Sequence, residues 1–67
     1  MLDLEPNKVF MIQIHAPGLE TPVSELATGK NVGNAILDIK DRYPNFKRIV
    51  IYDADTKDAI RIIKNNQ

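Results

Sequence analysis

The acidic residues near the carboxyl-terminal end are the densest group of side chains that could hold a metal ion. Asp53, Asp55 and Asp58 lie within six residues of one another. Read as a calcium-binding loop that begins at Asp53, the sequence has Asp58 where the loop needs glycine. It also has Lys57 at the fifth position and Lys64 where the loop needs glutamate. Aspartate is common at the start of tight turns, so we expect a structural turn here and no metal site.

Two other groups of residues have the chemistry of a site but lack its companions. His15 is the only histidine and the chain has no cysteine, so neither a catalytic triad nor a histidine–thiolate metal site can be assembled. Gly29 and Lys30 resemble the end of a phosphate-binding loop. However, Ser24 replaces the glycine five residues earlier, and Asn31 replaces the hydroxyl that would bind magnesium. We therefore expect no enzymatic activity, no cofactor and no metal.

Basic side chains gather where a predicted helix ends and the next strand begins. Lysine and arginine at this place offset the helix dipole, which is the simpler explanation. The alternative is a patch for an anion or a nucleic acid, with Phe46 or Tyr52 as platforms on which bases stack. Nine basic residues balance nine acidic ones, whereas nucleic-acid binders usually carry a basic excess. The residues of this patch are Lys40, Arg42, Lys47 and Arg48.

The length and composition predict one small globular domain. A chain of 67 residues buries only about 60% of its unfolded surface, so its stability is marginal. The absence of cysteine is consistent with a reducing compartment. The longest apolar run, residues 9–12, is too short to span a membrane, and Asp3 and Glu5 stand where a signal peptide would be basic. We expect a cytoplasmic protein.

The elements that must position these side chains begin with one helix over residues 31–44. Its apolar residues recur at the spacing of a single helical face. Asn31 is expected to cap its first turn, and Pro44 to end it. The helix is too short to be stable alone, so it must pack on a sheet. The apolar face consists of Val32, Ala35, Ile36, Ile39 and Tyr43.

Alternating apolar residues predict four strands around this helix. Pro17 and Gly18 predict a type II turn between the first two strands. Pro22 predicts that the second strand lies at an edge of the sheet or begins after this proline. Residues 1–7 are expected to be a flexible lead-in, residues 8–64 the domain, and residues 65–67 a frayed tail. The predicted strands cover residues 8–16, 20–28, 47–53 and 58–64.

The order of these elements predicts an α+β fold of ββαββ type, a four-stranded sheet with the helix on one face. This element order resembles the ubiquitin-like β-grasp, which includes small sulfur-carrier proteins. Those carriers end in Gly-Gly, whereas this chain has no glycine after Gly33, so the resemblance implies no function. The predicted core consists of Phe10, Ile12, Ile14, Leu26, Val32, Ala35, Ile36, Ile39, Ile49, Ile51, Ile60 and Ile62.

The sheet face away from the helix is predicted to be apolar where a solvated face would be polar. A partner protein or a second copy of the chain would cover such a face. Two alternatives remain: small domains expose some apolar surface, and Leu2 and Leu4 could fold over it. The leading hypothesis is a non-enzymatic protein-interaction module, an adaptor, inhibitor or regulator, with a homodimer as one form of it. A small nucleic-acid-binding regulator is the alternative. The predicted interface residues are Val9, Met11, Val50, Tyr52 and Ile63.

Overall fold

The structure is a computed structural model that describes residues 4–65. It confirms the predicted α+β fold: one helix packs on a four-stranded antiparallel sheet, and the chain order is ββαββ. Most element boundaries differ from the sequence-based ones by one to three residues. Residues 1–3 and 66–67, which include Leu2 and part of the expected tail, lie outside the described residues. The elements are β1 (Val9–His15), β2 (Val23–Thr28), α1 (Gly29–Arg42), β3 (Arg48–Asp53) and β4 (Ala59–Lys64).

The sheet has the strand order β2-β1-β3-β4, so β2 and β4 are its edges. On one side β1 pairs with β2, with Ile12 opposite Glu25. On the other side β1 pairs with β3, with Ile12 opposite Ile51. The chain crosses from β2 to β3 through α1, and these two strands are not neighbours because β1 lies between them. This crossover places the helix over one face of the sheet.

The core lies between α1 and that face. Three helix residues, Val32, Ile36 and Ile39, are buried at the spacing that the sequence predicts. Phe46, in the segment that follows the helix, is only 6% exposed and closes the core. It is therefore not available as a platform for stacking bases. The buried cluster consists of Phe10, Ile12, Ile14, Val32, Ile36, Ile39, Phe46, Ile49 and Ile51.

Three residues of the predicted core lie outside it. Leu26 is 70% exposed, Ile60 is 47% exposed and Ile62 is 54% exposed. In β4, Ile63 pairs with the buried Ile49 and packs against the core instead. The sequence of β4 has isoleucines on both sides of the strand, and a shift of one residue exchanges the two sides. The pairing also slips by one residue between Ile51 and Tyr52, which period-two counting cannot foresee.

The helix begins two residues earlier than predicted, and backbone groups rather than Asn31 satisfy its first turn. The Gly29 N–H donates to the Lys8 carbonyl at 2.8 Å, and the Lys30 N–H donates to the Pro6 carbonyl at 3.2 Å. Asn31 instead donates through its side-chain amide to the Thr28 hydroxyl at 3.0 Å. The expected Asn31 cap is therefore wrong, because the segment before β1 supplies the acceptors. Since those N–H groups are already bonded, this helix start offers little to a phosphate.

Candidate functional site

The side of the sheet opposite α1, called the outer face below, carries two uncharged rows that cross all four strands. Residues that pair across strands share a face, so the registers define each row. The first row runs Leu26, Met11, Tyr52 and Ala59, and the second runs Ser24, Gln13, Val50 and Ile62. A sheet face exposed to water is usually polar. The first row is apolar apart from the Tyr52 hydroxyl, whereas the second row combines polar Ser24 and Gln13 with apolar Val50 and Ile62.

Four of the five predicted interface residues lie on this face. Val9 is 41% exposed, Met11 and Tyr52 are half-buried, and Val50 is only 4% exposed. Ile63 does not belong with them, since it packs against the core beneath the helix. The sequence reasoning missed Leu26 and Ile62, which take part in the two rows. The sequence would have indicated these two residues only if the opposite sides of β2 and β4 had been predicted to face the helix.

A small polar network interrupts the apolar surface. The Gln13 side-chain oxygen accepts a hydrogen bond from the Tyr52 hydroxyl at 3.3 Å and lies 3.0 Å from His15 Nε2. Partial burial lowers the pKa of His15, and the neighbouring Arg48 guanidinium lowers it further. The imidazole is therefore neutral at pH 7, and it pairs with an amide rather than with the carboxylate and nucleophile that catalysis would need.

The four predicted cationic residues do not form one patch. Arg42 contacts the carboxylates of Glu25 on β2 and Asp38 on the helix, which offset its charge. Lys40 lines a shallow cavity with Ile63 and Lys64 on the opposite edge of the sheet. Lys47 and Arg48 follow one another at the start of β3. The arrangement therefore separates Arg42 from Lys40, and only Lys47 and Arg48 remain adjacent.

Asp53 has a structural role at the end of β3. Its carboxylate accepts hydrogen bonds from the backbone N–H groups of Asp55 and Thr56 at 2.8 and 3.3 Å, which builds the turn to β4. Lys8 Nζ lies 2.6 Å from the other carboxylate oxygen. This hydrogen-bonded contact lowers the pKa of Asp53 and raises the pKa of Lys8. Among residues 4–65, no group of three His, Asp or Glu side chains is arranged to hold a metal ion.

Leu4, one of the two leucines that were candidates to cover the outer face, does not lie on it. It packs against the core cluster, which lies on the other side of the sheet. Within the part of the chain that the structure describes, no element lies over the outer face. The single helix there is neither long enough nor apolar enough to cross a membrane.

Comparison with known protein families, curated proteins and solved structures gives no match for this chain. The resemblance to the β-grasp therefore remains one of element order alone.

Proposed function

We propose that this chain is a non-enzymatic protein-interaction module that binds through its outer face. The observation that carries the proposal is the pair of uncharged rows across all four strands, including Leu26 at 70% exposure and Ile62 at 54%. Large exposed apolar patches on small domains mark sites of association, because covering them removes apolar surface from water. Adaptors, inhibitors and regulators work through surfaces of this kind.

The positions of Leu26 and Ile62 on the two edge strands also make the outer face accessible to a partner. Leu26 and Ile62 lie on β2 and β4, which are the two edges, so a partner can approach from either side as well as from above. In the middle of the sheet, Tyr52 offers both an apolar ring and a hydroxyl. Tyrosine is enriched at protein interfaces because it combines a large apolar area with a polar tip.

The test uses two leucines that differ only in their location. Leu26 on the outer face is 70% exposed, and Leu37 on the helix is 67% exposed. Leu26→Glu places a charge in the proposed interface, and we expect it to weaken association at least tenfold, about 1.4 kcal/mol. Leu37→Glu makes the same chemical change on the opposite layer and is expected to have no effect. Sedimentation across a concentration range measures self-association, and affinity capture measures foreign partners.

The proposal fails if Leu26→Glu associates as the unmodified chain does in both measurements. It also fails if Leu37→Glu weakens association equally, because the helix side would then be the binding surface. Far-ultraviolet circular dichroism verifies that each variant keeps its fold, and the high exposure of both leucines makes loss of folding unexpected.

Nucleic-acid binding is the second candidate. It depends on Lys47 and Arg48, which follow one another at the start of β3, with Tyr52 on the same strand. It requires an affinity for single- or double-stranded oligonucleotides that falls steeply with salt. The absence of measurable binding at low salt would exclude it. Binding that Arg48→Gln abolishes and Leu26→Glu leaves unchanged would favour it over the interaction module.

A further inference from the structure

The charges beside the outer face are separated between its two ends. At one end, called the cationic end, Arg48 and Lys64 are paired neighbours on β3 and β4, and both are exposed. At the other end, called the anionic end, Asp55 and Asp58 are exposed in the turn between the same two strands. The two uncharged rows lie between these ends. The charge beside this face is therefore separated along the strand direction, positive at one end and negative at the other, and the middle of the face is uncharged.

Nearby charges do not remove this polarity. At the anionic end the carboxylates outnumber the lysines by one, so a net negative charge remains. The carboxylates belong to Glu5, Asp53, Asp55 and Asp58, and the lysines are Lys8, Lys30 and Lys57. At the cationic end, Lys47 and Glu20 line the same small cavity and offset each other, which leaves the charges of the paired residues. His15, next to Arg48, adds no charge at pH 7 because its pKa is lowered by burial.

Two copies of this face can pack with two-fold symmetry in two ways. An axis along the strands brings the cationic ends of both copies together. An axis across the strands reverses one sheet relative to the other, so each cationic end lies against the partner's anionic end. A two-fold interface uses the same patch on both subunits and must therefore be self-complementary. Only the second arrangement has this property here. The chain's net charge of zero also gives no overall repulsion between copies.

We propose that the partner of the outer face is a second copy of this chain, packed face to face with its strands reversed. This inference rests on the proposed function and identifies the partner that covers the outer face. The two sheets would lie about 10 Å apart, as in other sheet-on-sheet packings. Each strand would lie over the same strand of the other copy, which places Lys64 near the partner's Asp58.

The absence of cysteine allows a direct test by cross-linking. Ser24→Cys places a thiol on the outer face of β2, and Ile62→Cys places one on β4. In the reversed arrangement each thiol lies near the same thiol of the second copy. A thiol cross-linker that spans about 10 Å should therefore join two Ser24→Cys chains to each other, and likewise two Ile62→Cys chains. The axis along the strands would instead join Ser24→Cys to Ile62→Cys. Asn34→Cys, on the exposed side of the helix, is the control and should remain uncross-linked.

The two edge strands are about 14 Å apart within one sheet, which separates these outcomes clearly. Mixing the two variants, one of them lengthened by a tag, shows by mass whether the joined chains are like or unlike. Unlike products alone overturn the reversed packing. A chain that sediments as a monomer at every concentration overturns self-pairing altogether. In that case the proposed function as an interaction module holds only if a foreign partner is captured by the unmodified chain and by Leu37→Glu, but not by Leu26→Glu.

A charge exchange tests the physical reason for the reversal. Lys64→Glu would place an acidic residue against the partner's Asp58, and we expect the dimer to weaken about tenfold because the contact occurs twice in the dimer. Adding Asp58→Lys to that variant restores opposite charges and should recover most of the affinity at low salt. Equal affinity for all three proteins would overturn the electrostatic argument for the reversed arrangement.

Discussion

Gly29 is the residue at which the fold is least tolerant of a side chain. A Cβ atom there would lie 1.9 Å from the Glu5 carbonyl oxygen, so the segment before β1 would have to move. We expect Gly29→Ala to lower the free energy of unfolding by about 1–3 kcal/mol, the usual cost of forcing extra atoms into a packed site. Urea unfolding followed by circular dichroism measures this change.

Gly33→Ala is the matched control for that experiment. Gly33 lies in the same helix, and a Cβ atom there would meet nothing within 4 Å. Alanine favours helix over glycine by about 0.5–1 kcal/mol, so this variant should be more stable than the unmodified chain. If both substitutions stabilise the protein equally, the close contact between residues 5 and 29 does not exist in solution.

The ion pair of Lys8 and Asp53 makes stability depend on pH at both extremes. Because the folded pKa of Asp53 is lowered, its contribution is present above the unfolded value of about 3.9 and is lost as pH falls through the folded pKa. Because the folded pKa of Lys8 is raised, its contribution is present below about 10.4 and is lost as pH rises through the folded pKa. Lys8→Met should flatten both limbs of the curve of unfolding free energy against pH.

Lys40→Met, which removes a lysine from the exposed side of the helix, is the control for this titration. It should leave the acid limb unchanged. Titration of the Asp53 carboxyl by nuclear magnetic resonance gives the direct reading: its pKa should move up towards the ordinary aspartate range in Lys8→Met. An identical Asp53 titration in the two proteins would contradict the assignment.

At the scale of elements, the sequence predicted all four strands and the helix, because their apolar periods are distinct. The stripe of Val32, Ile36 and Ile39 could only be a helical face. The side that each edge strand turns inward was not predictable in the same way. Edge strand β2 offers Leu26 on one side and only Val23 and Ala27 on the other, and the structure buries the smaller pair beneath the helix. The prediction placed the largest apolar residue, Leu26, in the core and so chose the wrong side, although the other side has more apolar residues.

The register of β4 gives a sharp test at this scale. Ile63 packs against the core and Ile62 is 54% exposed on the outer face. Ile63→Ala should destabilise the fold by about 1–2 kcal/mol, less than the 2–5 kcal/mol of a fully buried isoleucine. Ile62→Ala should cost under about 0.5 kcal/mol when it is measured at low protein concentration. If Ile62→Ala costs more stability than Ile63→Ala, then Ile62 faces the core, as the sequence alone predicted, and the β4 register described here is wrong.

At the scale of the whole molecule, the sequence identified an apolar outer face but not its outline. Four of its residues could be placed there, because the residues of β1 and β3 that face the helix recur at every second position and leave the others on the outer face. These four are Val9, Met11, Val50 and Tyr52. The separation of charge between the two ends depends on which residues pair across strands, and no local pattern specifies that. For the same reason the four basic residues looked like one patch, although the fold directs Arg42 and Lys40 to opposite edges.

The hydrogen bonds from Gly29 and Lys30 to the segment before β1 also affect local opening of the chain. The first turn of a helix usually frays easily, and its amide protons then exchange with solvent without global unfolding. Here the amide proton of Gly29 is held by the carbonyl of Lys8, and that of Lys30 by the carbonyl of Pro6. These protons become free only when residues 6–8 leave the helix. The helix start and the segment before β1 therefore open as one cooperative unit, although more than 20 residues separate them along the chain.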